Sequence, residues 1–471
     1  MNFLSRLAIP ESTEHLALFK YLLVLVSILF VTYSSIALIA STFSVFFNAM
    51  GKREEAEDSA DRDRAKLYLR FARDLADLAA PNRGVIGALA VLPLITAVLI
   101  YAQLLRGMGL GITGYLSVSA ALYFAGLFSV YYYKRSFHFD SIFSTFQRLA
   151  LSRASEVTSD VASDVESFEH SAVETKRTAG RRGAILLWLA TWVYVGTTRL
   201  TFSSGRWADS SFLTVLFSGS TFWSLVNYVV AAVMITSAAV IFFFFKFEDG
   251  IAINADETYR KFVRRFVLPA GLVAVALEPM FLYFEIRNLP LTGVSNATFG
   301  IAGIGMFIAL LILLLFYSML KDSRVNLGGY AFVGVIVLVF VWAAKDEIAF
   351  NYATRVQDQQ LGLRYEAMLA SLSPNTPPPV MSGEDIYNAR CSACHRFDRK
   401  LVGPPYYQTL PNFVGKMDSL EDFINNPYQA VPGYPPMPNQ GLKPQEVKNI
   451  ANYIMGVYLA AAKKGEAKVI Q

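Results

Sequence analysis

Five consecutive residues, Cys391-Ser392-Ala393-Cys394-His395, carry the sharpest chemistry in the chain. Their spacing lets two thiols reach the two vinyl groups of one porphyrin. The residue that follows is an imidazole able to swing beneath the iron. C-x-x-C-H is the signature of c-type haem attachment, so Cys391 and Cys394 read as thioether donors and His395 as the proximal iron ligand. Zinc is the competing reading. It needs two further ligands, and the other three histidines, His15, His138 and His170, all lie outside this part of the chain. Cys391 and Cys394 are the only cysteines, so no disulfide framework forms without sacrificing the site.

The second axial ligand is argued from position. Met417 and Met437 are the two candidates, and Met417 falls at an expected helix start. Met437 sits in Gly433-Tyr434-Pro435-Pro436-Met437-Pro438, where prolines stiffen the loop and hold the thioether at small entropic cost. Met437 is therefore favoured. His/Met ligation raises the haem potential and leaves no open coordination site, which suits electron transfer and disfavours oxygen chemistry.

The rest of the sequence is a different material. Hydrophobic residues make up 54% and charged residues 17% of the 471, against roughly 25% charged in a soluble protein. The apolar residues fall in long blocks, which implies an integral membrane protein. The formal charge of +5 is spread over loops with no compact basic cluster, so no nucleic-acid partner is expected. The first apolar block starts near His15 and is too long for a cleavable signal core; it reads as a retained membrane helix.

Eight stretches are long enough to cross a bilayer core of about 30 Å: roughly 16–48, 84–105, 110–133, 183–203, 219–245, 263–286, 299–320 and 325–345. Residues 209–217 are an alternative surface helix before the fifth span. Spanning segments must satisfy their backbone internally, which makes them helices. The loops at 50–83, 134–182, 246–265 and 321–324 hold most of the Lys and Arg, and the alternate loops hold few. The positive-inside rule then makes the rich loops cytoplasmic. Both termini, and the CSACH region with them, are expected outside, on the side where c-type haem is attached.

The domain reading is a transmembrane helical domain at 1–347 with cytoplasmic helical loops at 50–83 and 134–182. A linker follows at 348–380, ending Pro-rich, then a haem domain at 381–462 and a tail at 463–471. Within the membrane region Glu278 and Glu285 are ionisable groups on one expected span, and such groups suggest function. Glu278 reads either as a proton- or quinol-linked carboxylate or as a protonated acid bonded across helices beside Pro279. His15 lies near the outer surface and His138 near the inner one, so no single haem bridges them. Each is an interfacial side chain or a lone ligand.

Residues 381–460 resemble a class I, monohaem cytochrome c. The residues that carry this are Gly383 and Tyr387 before CSACH, Gly403-Pro404 after it, Met437-Pro438, and Tyr453 in the last helix. The resemblance implies that the Pro404 carbonyl orients the proximal imidazole, and that Gly383 and Tyr387 pack against Tyr453. On the outside N-terminus, the first span from His15 to Phe46, Leu92-Pro93 with Tyr101-Ala102-Gln103 in the second span, and Phe222-Trp223 through Ala232 in the fifth, the first five spans resemble, more loosely, the large subunit of cytochrome bd-like oxidases with fused cytochrome c. They depart from it at Phe30 and Asn227, which stand where a haem-ligating histidine is expected.

The expected fold is all-α: a polytopic bundle of about eight spans followed by a class I cytochrome c domain. The expected function is a membrane-anchored carrier of one covalent haem c, an electron-transfer subunit of a bacterial respiratory complex in the cytoplasmic membrane, performing no substrate chemistry itself. Its expected partners are other subunits of a membrane redox complex, a cytochrome or quinol-linked donor or acceptor, and lipid. The alternatives are a bd-like quinol or oxygen oxidoreductase and a haem-based sensor.

Overall fold

A computed structural model describes residues 12–57, 62–106, 111–152, 159–203, 207, 211–245, 256–290, 293–322, 325–372, 381–429, 431, 433–434, 437–465 and 467; within 138–177 it describes the helical backbone alone. Among these residues the regular elements are all helices. They form two compact units, Met1–Tyr365 and Glu366–Gln471.

The first unit opens with α1, Thr13–Glu57. It is about 65 Å long at 1.5 Å per residue, twice a bilayer core, because the helix runs on past the apolar block. Its extension packs on α2, Arg62–Ala79. That helix is amphipathic: Phe71, Ala72, Leu75, Ala76 and Ala79 repeat on one face and are buried. Phe71 meets Phe47 of α1 edge-on at 5.0 Å between ring centroids. Burying such a ring outside lipid stabilises the contact by roughly 1.5–3 kcal/mol.

The helices α3 (Arg83–Leu104, with a π-helical turn at Gly87–Val91), α4 (Gly111–Ser152) and α5 (Ser159–Thr201) follow. Then come the short α6 (Phe212–Leu216), α7 (Gly219–Phe245), α8 (Glu257–Arg287), α9 (Asn296–Asp322) and α10 (Gly328–Leu372). Among the described residues seven helices, α1, α3, α4, α7, α8, α9 and α10, are long and apolar enough to cross a membrane. The expected span 183–203 is the second half of α5. It is helical and packs along α4, but Trp, Tyr, Thr and Arg199 dilute its hydropathy and it is not among the seven. The segment at 209–217 contains the short surface helix α6. Residues 348–372, placed in the linker by sequence, continue α10; the Pro-rich stretch 373–380 lies outside the described residues.

The second unit is small. The helix α11 (Gly383–Ile386) is capped by Ser382, whose hydroxyl accepts from the Asp385 amide, and it continues as a π-helical turn over Tyr387–Cys391. Two short helices follow, α12 (Tyr406–Thr409) and α13 (Met417–Asn425). The last, α14 (Pro444–Lys463), starts with proline where no amide partner is needed, and the Glu446 carboxylate accepts from the Lys443 amide at 2.8 Å. Its buried face, Val447, Ile450, Ala451, Ile454 and Met455, follows helical spacing. Where α11 crosses α14, a Cβ on Gly383 would overlap the Asn449 carbonyl, so only glycine lets the helices approach this closely. Tyr387 and Tyr453 pack there at 5.8 Å between ring centroids.

Candidate functional site

The C-terminal unit encloses a pocket of about 140 Å³ between α11, α13, α14 and the loop after Tyr428. Cys391, Cys394, His395, Pro404 and Met437 all line it, with an apolar wall that includes Leu420, Phe423, Ile424, Ile450 and Ile454. Met417 packs against the unit's core and does not line the pocket.

The proximal side is built by local hydrogen bonds. The Cys394 carbonyl accepts from the Gly403 amide at 2.8 Å, folding 395–402 back on the helix end. That return sets Pro404, whose carbonyl lies 3.0 Å from His395 Nδ1. A carbonyl only accepts, so Nδ1 carries the proton and Nε2 keeps its lone pair for a metal. Burial lowers the imidazole pKa, which favours this neutral form, while the Pro404 carbonyl works the other way. A Cβ on Gly403 would overlap the imidazole ring. Tyr406 stacks on that ring, 5.0 Å between centroids and within 9° of parallel.

Cys391 is buried and Cys394 partly buried, and the two thiols are not joined. Burial pushes the Cys391 thiol up to about 11, so it is no free thiolate nucleophile. The methionine loop is tied to both sides of the pocket. Arg390 Nη1 donates to the Gln440 carbonyl at 2.9 Å, and Asn439 Nδ2 donates to the Asn425 carbonyl at 2.8 Å. Pro435 and Pro436, expected to stiffen this loop, lie outside the described residues.

The residues fit a haem. The pocket is apolar, is reached by paired thiols at one rim, and presents an imidazole nitrogen and a thioether, which is the donor chemistry of a six-coordinate haem iron. Among the described residues no cluster of His, Cys, Asp and Glu suits a bare metal ion.

Comparison with known proteins decides the family. Residues 378–454 match the family described as cytochrome c oxidase, cbb3-type, subunit III. The chain is 31% identical over 78 residues to cytochrome c-551 of Pseudomonas denitrificans, covering 95% of that protein and 16% of this chain. Its C-terminal domain belongs to the class I cytochromes c. Cytochrome c-551 of Pseudomonas aeruginosa is 34% identical over 71 residues, covering 68% of that protein and 14% of this chain. Cytochrome c-552 of Hydrogenobacter thermophilus is 31% identical over 70 residues, covering 71% of that protein and 14% of this chain. No solved structure matches the chain. This cytochrome c domain binds haem and transfers electrons, and the chain that carries it has membrane helices.

The membrane unit gathers a second group of residues that sequence reading only half identified. Glu285 of α8 is buried and bonded by Arg199 of α5, by Asn227 of α7 (Nδ2 to Oε2, 2.5 Å) and by Lys345 of α10 (Nζ to Oε1, 2.9 Å). Asp346 lies 3.1 Å from Lys345. Glu278 lies two turns earlier on α8, fully buried, and neither of its oxygens has a hydrogen-bond partner among the described residues. The acid bonded across helices is thus Glu285 and not Glu278, because only the later position faces the two cations. The helix runs unbroken through Pro269 and Pro279. His15 is exposed in the first turn of α1 and joins neither carboxylate. The sequence signal for this network is a lysine and two acids, Lys345-Asp346-Glu347, interrupting one apolar run.

Proposed function

We propose that the chain is a membrane-anchored monohaem c-type cytochrome, the electron-transfer subunit of a bacterial respiratory complex. The observation that carries this is one apolar pocket lined by Cys391, Cys394, His395 and Met437. Cys391 and Cys394 would form the thioether bonds to the haem, and His395 and Met437 would hold its iron. Pro404 holds the His395 tautomer and ring plane. Haem c, when bound, supplies a one-electron couple. With His395 and Met437 both holding the iron, the site would favour electron transfer over oxygen binding.

The membrane unit supports a scaffold role. Phe30 is packed between Tyr123 and Tyr194 at 5.2 and 5.0 Å between centroids, and Asn227 is committed to Glu285. Neither position supplies a haem-b ligand. His15 is exposed, and the side chains of His138 and His170 lie outside the described residues. The basic loops favour a cytoplasmic-membrane protein with both termini and the haem domain periplasmic. That parity holds when the α5 segment counts as the eighth span. Partners are then other subunits of a membrane redox complex and a cytochrome or quinol-linked donor or acceptor.

The test is a pyridine haemochrome spectrum of the purified chain. One haem c per chain and no haem b is the expected result; a haem-b signal overturns the scaffold reading. Met437→Ala is expected to let the reduced haem bind carbon monoxide, which the native protein resists. Carbon monoxide binding to the native protein would remove Met437 as the distal ligand.

A further inference from the structure

Met437 stands on a stretch, 437–442, that forms no regular element on its way to α14. Among the described residues two hydrogen bonds tie this stretch to other parts of the unit. Asn439 Nδ2 donates to the Asn425 carbonyl at the exposed end of α13. Arg390 Nη1 donates to the Gln440 carbonyl at 2.9 Å, from a half-buried position on the pocket wall. Two more bonds are internal to the stretch: Gln440 Nε2 donates to the Pro438 carbonyl, and the Gly441 amide donates to Asn439 Oδ1.

The two ties are not alike. Arg390 directly precedes Cys391 on the π-helical turn, and Gln440 follows Met437 by three residues. Their bond therefore joins the turn that carries the first thiol, and leads to His395, to the loop that carries Met437. No carboxylate pairs with Arg390 among the described residues, so its charge strengthens the bond to this carbonyl. A hydrogen bond from a charged donor shifts an equilibrium by about tenfold to a hundredfold. A thioether is a soft donor and grips oxidised iron more weakly than reduced iron. In the oxidised state the tethers of the loop therefore decide whether the thioether stays in place. A guanidinium on the pocket wall also disfavours the extra positive charge of oxidised iron. Both effects keep the potential high.

We propose that Arg390 is a positioning residue: it latches the methionine loop over the haem pocket, so that the sixth ligand stays on the oxidised iron and the potential stays high. The proposal rests on the reading of Met437 as the second iron ligand. Without this one bond the loop opens more readily. The Asn439 tie is exposed, and water replaces it at small cost.

The experiment is titration of the oxidised, haem-loaded full-length chain in detergent with imidazole, followed by absorbance, with the reduction potential measured beside it. Imidazole binds the iron only where Met437 has left it, so its affinity reads the latch. Arg390→Met should bind imidazole at least about tenfold more tightly than the native chain, and its potential should fall. Asn439→Ala should move the affinity by less than about twofold. Arg390→Lys keeps the charge but not the fork of donors. It should keep most of the potential while gaining about threefold in imidazole affinity, and it carries the test if Arg390→Met takes up no haem. Native imidazole affinity in the Arg390 variant, or an equal gain in Asn439→Ala, overturns the proposal. Met437→Ala separates the two failures. If it binds imidazole no more tightly than the native chain, the sixth-ligand reading has failed. If it binds far more tightly and the Arg390 variant does not, the latch alone has failed.

Discussion

The pocket of the cytochrome c domain is drawn from residues 390–454, and the cavity of the membrane unit from residues 23–350. Both hold polar groups against an apolar wall. In the first, the two thiols, His395 and Pro404 are neighbours in sequence, aimed by short-range backbone hydrogen bonds such as Gly403 to Cys394, and Met437 comes from farther along the chain. In the second, Arg199, Asn227, Glu285 and Lys345 come from four helices and meet only because the helices pack. The difference teaches that a site able to hold a covalent cofactor can be assembled locally. A buried charge network has to be assembled globally, and it is correspondingly fragile to loss of one member.

The comparison breaks most sharply at the thiols. Replacing both Cys391 and Cys394 by alanine should remove all covalently bound haem, read by haem staining after a denaturing gel, while the membrane unit keeps its melting transition. Staining that survives the double replacement would show that these thiols are not the attachment points.

The next largest effect belongs to the membrane unit. Lys345→Met leaves Glu285 with one cation in place of two. Breaking a buried pair from one side costs about 3–5 kcal/mol, so the detergent-solubilised chain should melt at a clearly lower temperature. The contrasting pair in the C-terminal unit is Lys443 and Glu366, 3.9 Å apart and both about half exposed. Lys443→Met should change stability by less than about 1 kcal/mol. Equal effects from the two substitutions would erase the distinction drawn here.

A smaller effect sharpens the comparison with a third buried carboxylate. Asp74 of α2 lies outside the candidate membrane spans and accepts from the Tyr259 hydroxyl at 2.5 Å. Burial raises its pKa from 3.8 to about 6, against the lowering effect of Tyr259 and Arg70. A raised acid holds its proton more tightly in the folded state. Its contribution is therefore present below about pH 4 and is lost as pH rises through about 6. The loss is roughly 2–3 kcal/mol. The protection factors of α2 amides, which are corrected for the intrinsic rise of exchange with pH, should fall over that window, and Asp74→Asn should remove that fall. A comparable effect is that of Gly403→Ala, where the new methyl overlaps His395. Such overpacking costs about 1–3 kcal/mol, and the altered ring position should shift the haem absorbance without releasing the haem.

Much of this molecule is legible before folding. The apolar blocks dictate helices because lipid leaves backbone groups no other partner. CSACH dictates haem chemistry because two thioethers and one imidazole need only a fixed spacing along a single turn. The helical spacing of Leu67, Phe71, Leu75 and Leu78 likewise announces an amphipathic helix in the loop at 50–83, and the structure adds that its apolar face is packed against α1. The expected span at 183–203 was less plain, since its polar and aromatic residues dilute a signal that depends on average composition.

Other features belong to the tertiary structure alone. Sequence presented Glu278 and Glu285 as ionisable groups on one span. Only packing turned Glu285 toward Arg199, Asn227 and Lys345, left Glu278 without a partner, and enclosed a cavity with unmatched donors and acceptors. The physical reason is range. Spacing along one helix determines which residues share a face, whereas the neighbours of that face depend on how helices distant in the chain cross.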